Sequence, residues 1–174
     1  DFNFIFFVTE NNDDNDFKIN YKLITPLGGV ENNRVSDLKI ISEIIRENIF
    51  LIEKKFNHTF KEIILILENF DPKFINFTGF KKLNGSQIIR ENITYILNTL
   101  KSCVDKTETK LNILHIFNSN YKLDKKKIDN LPIGLFGDFY SHELSFNLIN
   151  KNDLKNLKNI FNYCNLKIRK IFLK

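Results

Sequence analysis

Short apolar runs alternate along the chain with longer stretches in which apolar residues return every three or four positions. Residues 2–9 (FNFIFFVT) form an aromatic run of β type, and residues 17–25 (FKINYKLIT) alternate apolar and polar side chains. The polar cluster ENNDDND at 10–16 lies between them and is a turn by composition, so the two runs predict a hairpin. Pro26 and the pair Gly28-Gly29 break the second run. Leu38, Ile41, Ile45, Ile49 and Ile52 then recur at helical steps, with Ser36 or Asp37 as N-cap and a stop near Phe56 and Asn57. The unbroken run IILIL at 63–67 is too short for a helix and predicts a strand buried on both faces, as in a sheet covered by helices.

Asp71-Pro72 punctuates the chain, and residues 74–82 (FINFTGFKK) predict a weaker strand. Gly85-Ser86 leads into a second amphipathic helix with the stripe Ile89, Ile93, Ile96 or Leu97, and Leu100. DKTETK at 105–110 predicts a loop, and 111–117 a strand that continues toward Tyr121. DKKKIDN at 124–130 is a charged segment, and LPIGLFG at 131–137 a glycine-punctuated turn. Leu144, Phe146 and Leu148 alternate in a further strand. A third helix from about Asp153 carries Leu154, Leu157, Ile160 and Phe161, Asn165 suits its left-handed stop, and 166–173 close the chain as a strand. Strands alternating with helices of several turns predict an α/β or α+β fold rather than a sandwich. The first and last portions look like halves of one sheet domain interrupted near 69–149, which expects the opening hairpin and the closing strand to share a ladder.

The 174 residues (20.6 kDa) allow one ordinary domain or two small ones. No apolar run reaches the roughly 18–20 residues that span a bilayer, and no signal-peptide pattern opens the chain, so a soluble, intracellular protein is expected. Composition changes how the charge is read. Asn and Ile occur 25 times each and Phe 18 times, while Ala, Met and Trp are absent, which points to an A/T-rich genome. A net charge of +5 and a pI of 9.1 would ordinarily suggest nucleic acid, but 22 of the 26 basic residues are the codon-favoured Lys, spread along the chain. The missing methionine predicts that Asp1 is not a natural start and that the chain is a fragment.

Little catalytic chemistry is written in the residues. Cys103 and Cys164 lack a C-x-x-C neighbour and predict two free thiols, and His58, His115 and His142 lack the spacing of a metal site. Gly28-Gly29 is followed by no G-K-[ST] and predicts a simple turn; no G-x-S-x-G elbow occurs. Asp13-Asp14 sits in a polar turn with nothing apolar to raise a pKa, and Lys125-Lys126-Lys127 predicts a solvated loop face. No catalytic residue and no metal ligand is expected.

Three stretches, in order and at consistent spacing, resemble the FtsA family of actin-like bacterial cell-division proteins. Pro26-Leu27-Gly28-Gly29-Val30 through Val35-Ser36-Asp37-Leu38 is similar to the family's glycine loop and V-x-D-L helix start. Leu114-His115-Ile116-Phe117 with Tyr121 and Asp124 resembles its L-H-x-x-P-x-x-Y-x-x-D strand, with Asn118 in place of proline. Leu131-Pro132-Ile133-Gly134-Leu135-Phe136-Gly137 resembles its N-P-x-G-L-x-G turn, with Leu131 in place of asparagine. Cys164-Asn165-Leu166-Lys167 is similar to the family's C-G-L stop.

The resemblance implies an actin/Hsp70-like ATPase-fold subdomain 1A at 1–68 and 150–174, interrupted by an SHS2-like subdomain 1C at 69–149. It implies a cytoskeletal adaptor of the divisome that anchors filaments of FtsZ to the cytoplasmic face of the inner membrane at the septum, self-associates, and recruits later division proteins such as FtsN through subdomain 1C. ATP and Mg are implied for the full-length family. Its phosphate loops, adenosine pocket and membrane helix would lie before Asp1 or after Lys174, so this stretch is expected to hold no cofactor, to catalyse nothing, and to contact neither membrane nor nucleic acid. Within 1C, Thr107, Glu108, Thr109 and Lys110 align with a segment implied to contact partners. Related alternatives are the pilus-assembly homologue PilM, which also carries a 1C-like insertion, and an ATPase of the sugar-kinase or Hsp70 type; a basic nucleic-acid binder is a further class.

Overall fold

The computed structural model describes residues 3–11, 17–26, 28–32, 34–68 and 72–174, which fall into two compact units. One comprises Asp1–Asn69 with Lys155–Lys174, the other Phe70–Leu154. The contact boundaries thus lie at 69/70 and 154/155, the second five residues beyond the 149/150 border given by the resemblance. Asp13, Asp14, Leu27 and Asp71, which figure in the sequence patterns above, lie outside the described residues.

In the first unit β1 (Asn3–Asn11) and β2 (Phe17–Pro26) form the antiparallel hairpin, with Phe6 opposite Leu23 and a register shift at Val8/Thr9. Two-residue strands β3 (Val30–Glu31) and β4 (Arg34–Val35) follow, then α1 (Leu38–Phe56). Asp37 is the N-cap: its carboxylate accepts from the N–H groups of Lys39 (2.8 Å) and Ile40 (3.0 Å), two donors that the helix itself leaves unpaired. Asn57 ends α1 in the left-handed conformation, with Lys54 and Lys55 on the last turn, where cations complement the helix dipole. β5 (Glu62–Leu67) pairs in parallel with β10 (Lys167–Leu173), which follows α3 (Lys151–Tyr163) through Asn165 at φ 57°.

The apolar faces of α1 and α3 meet in a core of Ile41, Ile45, Ile160, Phe161 and Leu166. Phe4 and Phe6 of β1, Ile63 and Leu65 of β5 and Ile168 of β10 pack onto it. Two expectations change here. The hairpin and the closing strand share no ladder among the described residues: β1 pairs with β2, and β10 with β5. They are joined through the side chains of one core, not through backbone hydrogen bonds. The run 63–67 is also not buried on both faces. Ile63 and Leu65 face the core, whereas Ile64 and Ile66 are 46% and 58% exposed, because the helices cover one side of the β5–β10 pair.

The second unit is a four-stranded antiparallel sheet in the order β6 (Lys73–Lys82), β9 (Phe139–Asn150), β7 (Leu111–Leu123), β8 (Lys126–Ile128), with α2 (Arg90–Thr107) across one face. Tyr140, Leu144, Phe146 and Leu148 on alternate positions of β9 meet Ile96, Leu100 and Val104 of α2. Gly79 of β6 is the close-approach point, since a Cβ there would lie 2.5 Å from the Ile96 side chain. Local structure departs from the sequence pattern in three places. Ile89 is the N-cap of α2 and 47% exposed, and Ile88, fully buried, takes the inward position. The helix runs on through Thr107, leaving a connection of three residues. Within the charged segment 124–130, Lys126 and Lys127 belong to β8, joined to β7 by a two-residue turn in which Asp124 (φ 49°) and Lys125 (φ 70°) both take the positive φ of a type I′ hairpin. The LPIGLFG turn lies against 83–88 through Ile88 N–H to Leu135 O (2.8 Å) and Gly134 N–H to Ile88 O (2.9 Å).

Candidate partner-binding surface

Thr107, Glu108, Thr109 and Lys110 form the corner where α2 turns into β7. Thr107 ends the helix with its hydroxyl donating to Cys103 O (3.0 Å), and a β-turn is closed by Leu111 N–H to Glu108 O (3.0 Å). The corner is anchored: Glu108 accepts from Lys73 Nζ at 2.6 Å, Lys151 Nζ donates to Thr109 O at 2.8 Å, and Lys151 N–H to Lys110 O at 3.0 Å. The Lys73–Glu108 pair is partly exposed and contributes at most about 1 kcal/mol. Thr109 and Lys110 are left presenting exposed side chains from a fixed backbone.

A second surface lies on the sheet face turned away from α2. There β6 presents Phe74, Asn76, Thr78, Phe80 and Lys82, all exposed. A shallow groove of about 820 Å³ at one end of this face is lined by Phe80, Lys82, Lys122, Asp124, Lys125, Asp138 and Phe139. The Asp124 carboxylate is engaged by the N–H groups of Asp138 and Phe139, both at 2.8 Å. Sequence reasoning missed this surface. The only local signal was that residues 74–82 carry apolar side chains at both parities, which a strand with one covered face does not need.

Under α2, His142 is 2% exposed, its Nε2 3.0 Å from Asn118 Oδ1 and its ring 4.7 Å from that of Tyr121. Burial lowers its pKa below the ordinary 6.5, and burial likewise raises that of the neighbouring Tyr140 hydroxyl. As pH falls below about 6.5 the unfolded chain takes up a proton at this histidine that the folded chain refuses, so stability is full above that pH and lost below it. The urea midpoint is expected to be level from about pH 8 to 7 and to fall progressively as pH drops below about 6.5, and His142→Phe is expected to flatten that fall. An unchanged slope in the variant would locate the titration elsewhere. Among the described residues no group of His, Cys, Asp and Glu could hold a metal ion, and no helix is long and apolar enough to cross a membrane. Cys103 and Cys164 are free thiols; burial raises the pKa of Cys164, whose Sγ donates to Ser42 O at 3.3 Å.

A helix-backed parallel strand pair interrupted by an α+β unit defines the class: the fold is actin-like, an ATPase-fold subdomain with an insertion. A chain of the solved PilM-PilN type IV pilus biogenesis complex superposes on it with a TM-score of 0.61 over 98% of this chain and 44% of that one, at 8% sequence identity. In sequence, 109 residues (63% of the chain) are 31% identical to the cell division protein FtsA of Buchnera aphidicola subsp. Baizongia pistaciae (strain Bp). The chain spans a quarter of the length of that relative, 25%, and less than half of the solved chain. No family model matches it.

Proposed function

We propose that these residues are part of an FtsA-type adaptor of bacterial cell division, working on the cytoplasmic face of the inner membrane at the septum. The observation that carries this reading is the 31% identity to an FtsA over 109 residues of a chain with an actin-like fold. In this role the stretch is a protein-interaction module. The whole protein tethers FtsZ filaments and associates with itself, and the inserted unit receives later division proteins such as FtsN, with Thr107, Glu108, Thr109 and Lys110 as contact residues. The anchored backbone of that corner supports the assignment, because a pre-formed turn loses little entropy on binding.

The stretch itself catalyses nothing and holds no cofactor in this reading. An actin-type nucleotide takes its donors from two domains, and one half of such a cleft offers too few to offset the entropy of binding; ATP and Mg belong to the whole protein. The structural likeness to the PilM-PilN complex favours a second reading, a pilus-assembly homologue. Fused to a fluorescent protein, the complete gene product is expected to gather at the septum wherever FtsZ rings form. Diffuse or pilus-associated signal in cells with intact rings would overturn the division reading in favour of the second.

A further inference from the structure

The two edges of the four-stranded sheet are unequal. One is β8 over Tyr121–Leu123 and, for the rest, residues 111–120 of β7, which register shifts at Ile113/His115 and Asn118/Asn120 interrupt. The other is β6, ten residues long, paired with β9 from Lys73↔Leu148 to Lys82↔Phe139 without a register shift. Alternate residues of such a strand turn N–H and C=O away from the neighbour. Among the described residues the backbone of 73–82 makes no hydrogen bond besides those to β9. Natural sheets blunt edges of this length with proline, a bulge, an inward charge or a covering element. β6 has no proline and no bulge, and Ile75, Phe77 and Gly79 between its ends carry no inward charge; Lys73 and Lys81 share their face and reach Glu108 and Tyr95 at the two ends.

Its one device is charge. Lys73, Lys81 and Lys82 stand at its two ends, and no carboxylate lies within it. A second copy would pair poorly: a two-fold antiparallel β6–β6 match centred between Phe77 and Thr78 sets Lys73 opposite Lys82 at both ends, and like charges directly opposite destabilise a ladder. The same lysines favour a strand with carboxylates at its ends. Lys73 already holds Glu108 at 2.6 Å and the Lys81 ammonium sits 4.5 Å from the Tyr95 ring centre, while Lys82, Lys122 and Lys125 line the groove beside Phe80 and Phe139 and outnumber Asp124 and Asp138, the first of which is already engaged by backbone N–H groups. An added strand also lays every second side chain beside Phe74 and Phe80, which are 62% and 71% exposed.

We propose that β6 is an acceptor edge for an extended acidic segment of another protein, apolar at alternate positions, which adds as a fifth strand with its terminal carboxylates over the Lys81–Lys82 end and the adjoining groove. Backbone pairing supplies affinity, and the lysines select the partner and reject copies of this chain. The inference stands on the inserted unit alone and holds whether the whole protein serves division or pilus assembly.

The test uses the full chain and a fluorescent peptide alternating Val and Thr with Asp at both ends, beside a Lys-ended peptide and an Asp-ended peptide N-methylated at alternate residues. The Asp-ended peptide is expected to bind with a Kd of tens of micromolar, roughly 10–100 μM, and both others at least about tenfold more weakly. Lys81→Glu with Lys82→Glu, folded by circular dichroism, is expected to invert the charge preference. Hydrogen exchange of the wild-type chain, which needs no variant, is expected to show the bound peptide protecting alternate amides of 73–82 but not those of 111–120 or 126–128. The proposal is overturned by no binding at about 1 mM peptide, by equal binding of the three peptides, or by protection away from β6. Sedimentation showing a dimer with β6 protected and no peptide present would overturn it in favour of self-pairing.

Discussion

Phe146→Ala is expected to remove about 3–5 kcal/mol of stability from the inserted unit, the range for truncating a fully buried phenylalanine. Phe146 is completely buried on β9, the strand flanked by neighbours on both sides, and its ring packs edge-on against Phe77 with centres 6.3 Å apart. Ile96, Leu100 and Val104 close over the same core from α2. Walls built from a sheet and a long helix relax little into a vacated volume, so the cavity persists and adds to the lost transfer energy. A domain of this size has about 5–15 kcal/mol in total, so the variant gives up at least about a fifth of it. Urea unfolding of the full chain, followed by circular dichroism and by exchange of the β9 amides, reads the loss. Phe80→Ala, on a side chain 71% exposed, is expected to stay within about 0.5 kcal/mol of the parent. A larger effect of Phe80→Ala than of Phe146→Ala would mean that the sheet faces are assigned the wrong way round.

Gly29→Ala is expected to destabilise the first unit by about 2–5 kcal/mol. Two causes act together. Gly29 sits at φ +74°, where an L-residue is strained by about 1–2 kcal/mol. A Cβ there would lie 2.5 Å from the carbonyl oxygen of Asp37 and 2.9 Å from the Ile41 side chain. The carbonyl belongs to the start of α1, and Gly29 O itself accepts from the N–H groups of Ser36 (2.8 Å) and Asp37 (3.0 Å), so neither partner can withdraw without unclasping the helix start. Gly85→Ala separates the causes: Gly85 has a φ of +78° with nothing within 4 Å of an added Cβ, so it reports backbone strain alone. Gly29→Ala is expected to exceed it by at least about 1 kcal/mol, and equality would show that the contact with Asp37 yields.

Features set by neighbours in the chain were legible in the sequence. The stripe from Leu38 to Ile52, a cap at Ser36 or Asp37, the helix end near Asn57 and the left-handed Asn165 are local chemistry, and the structure places them there, with Asp37 as the cap. The Asp124-Lys125 hairpin was hidden because neither residue is the glycine that usually marks a turn with two positive φ angles. Ile93, Ile96 and Leu100 of α2 face the core as the pattern predicts, and only its first position moved, because Ile88 and Ile89 are adjacent and equally apolar and only packing decides which turns inward. The candidate site was least legible. Residues 73–82 form an edge only because β9, some seventy positions later, pairs with β6 on one side and β7 on the other, and no window of sequence contains that fact. The corner from Thr107 to Lys110 could be named from the resemblance, but its anchoring by Lys73 and Lys151 joins residues tens of positions apart.

The uncovered sides of the first unit's strands bear on how the chain behaves during its own synthesis. Ile5, Phe7 and Ile24 on the hairpin and Ile64, Ile66 and Phe172 on the parallel pair are oily and accessible at once. Exposed apolar side chains of this kind attract other unfinished chains and the chaperones that shield them. Expressed on its own, the polypeptide is expected to engage holdases and to enter inclusion bodies, and polar substitutions at Phe7 and Ile66 are expected to raise its soluble yield more than any change to its cores.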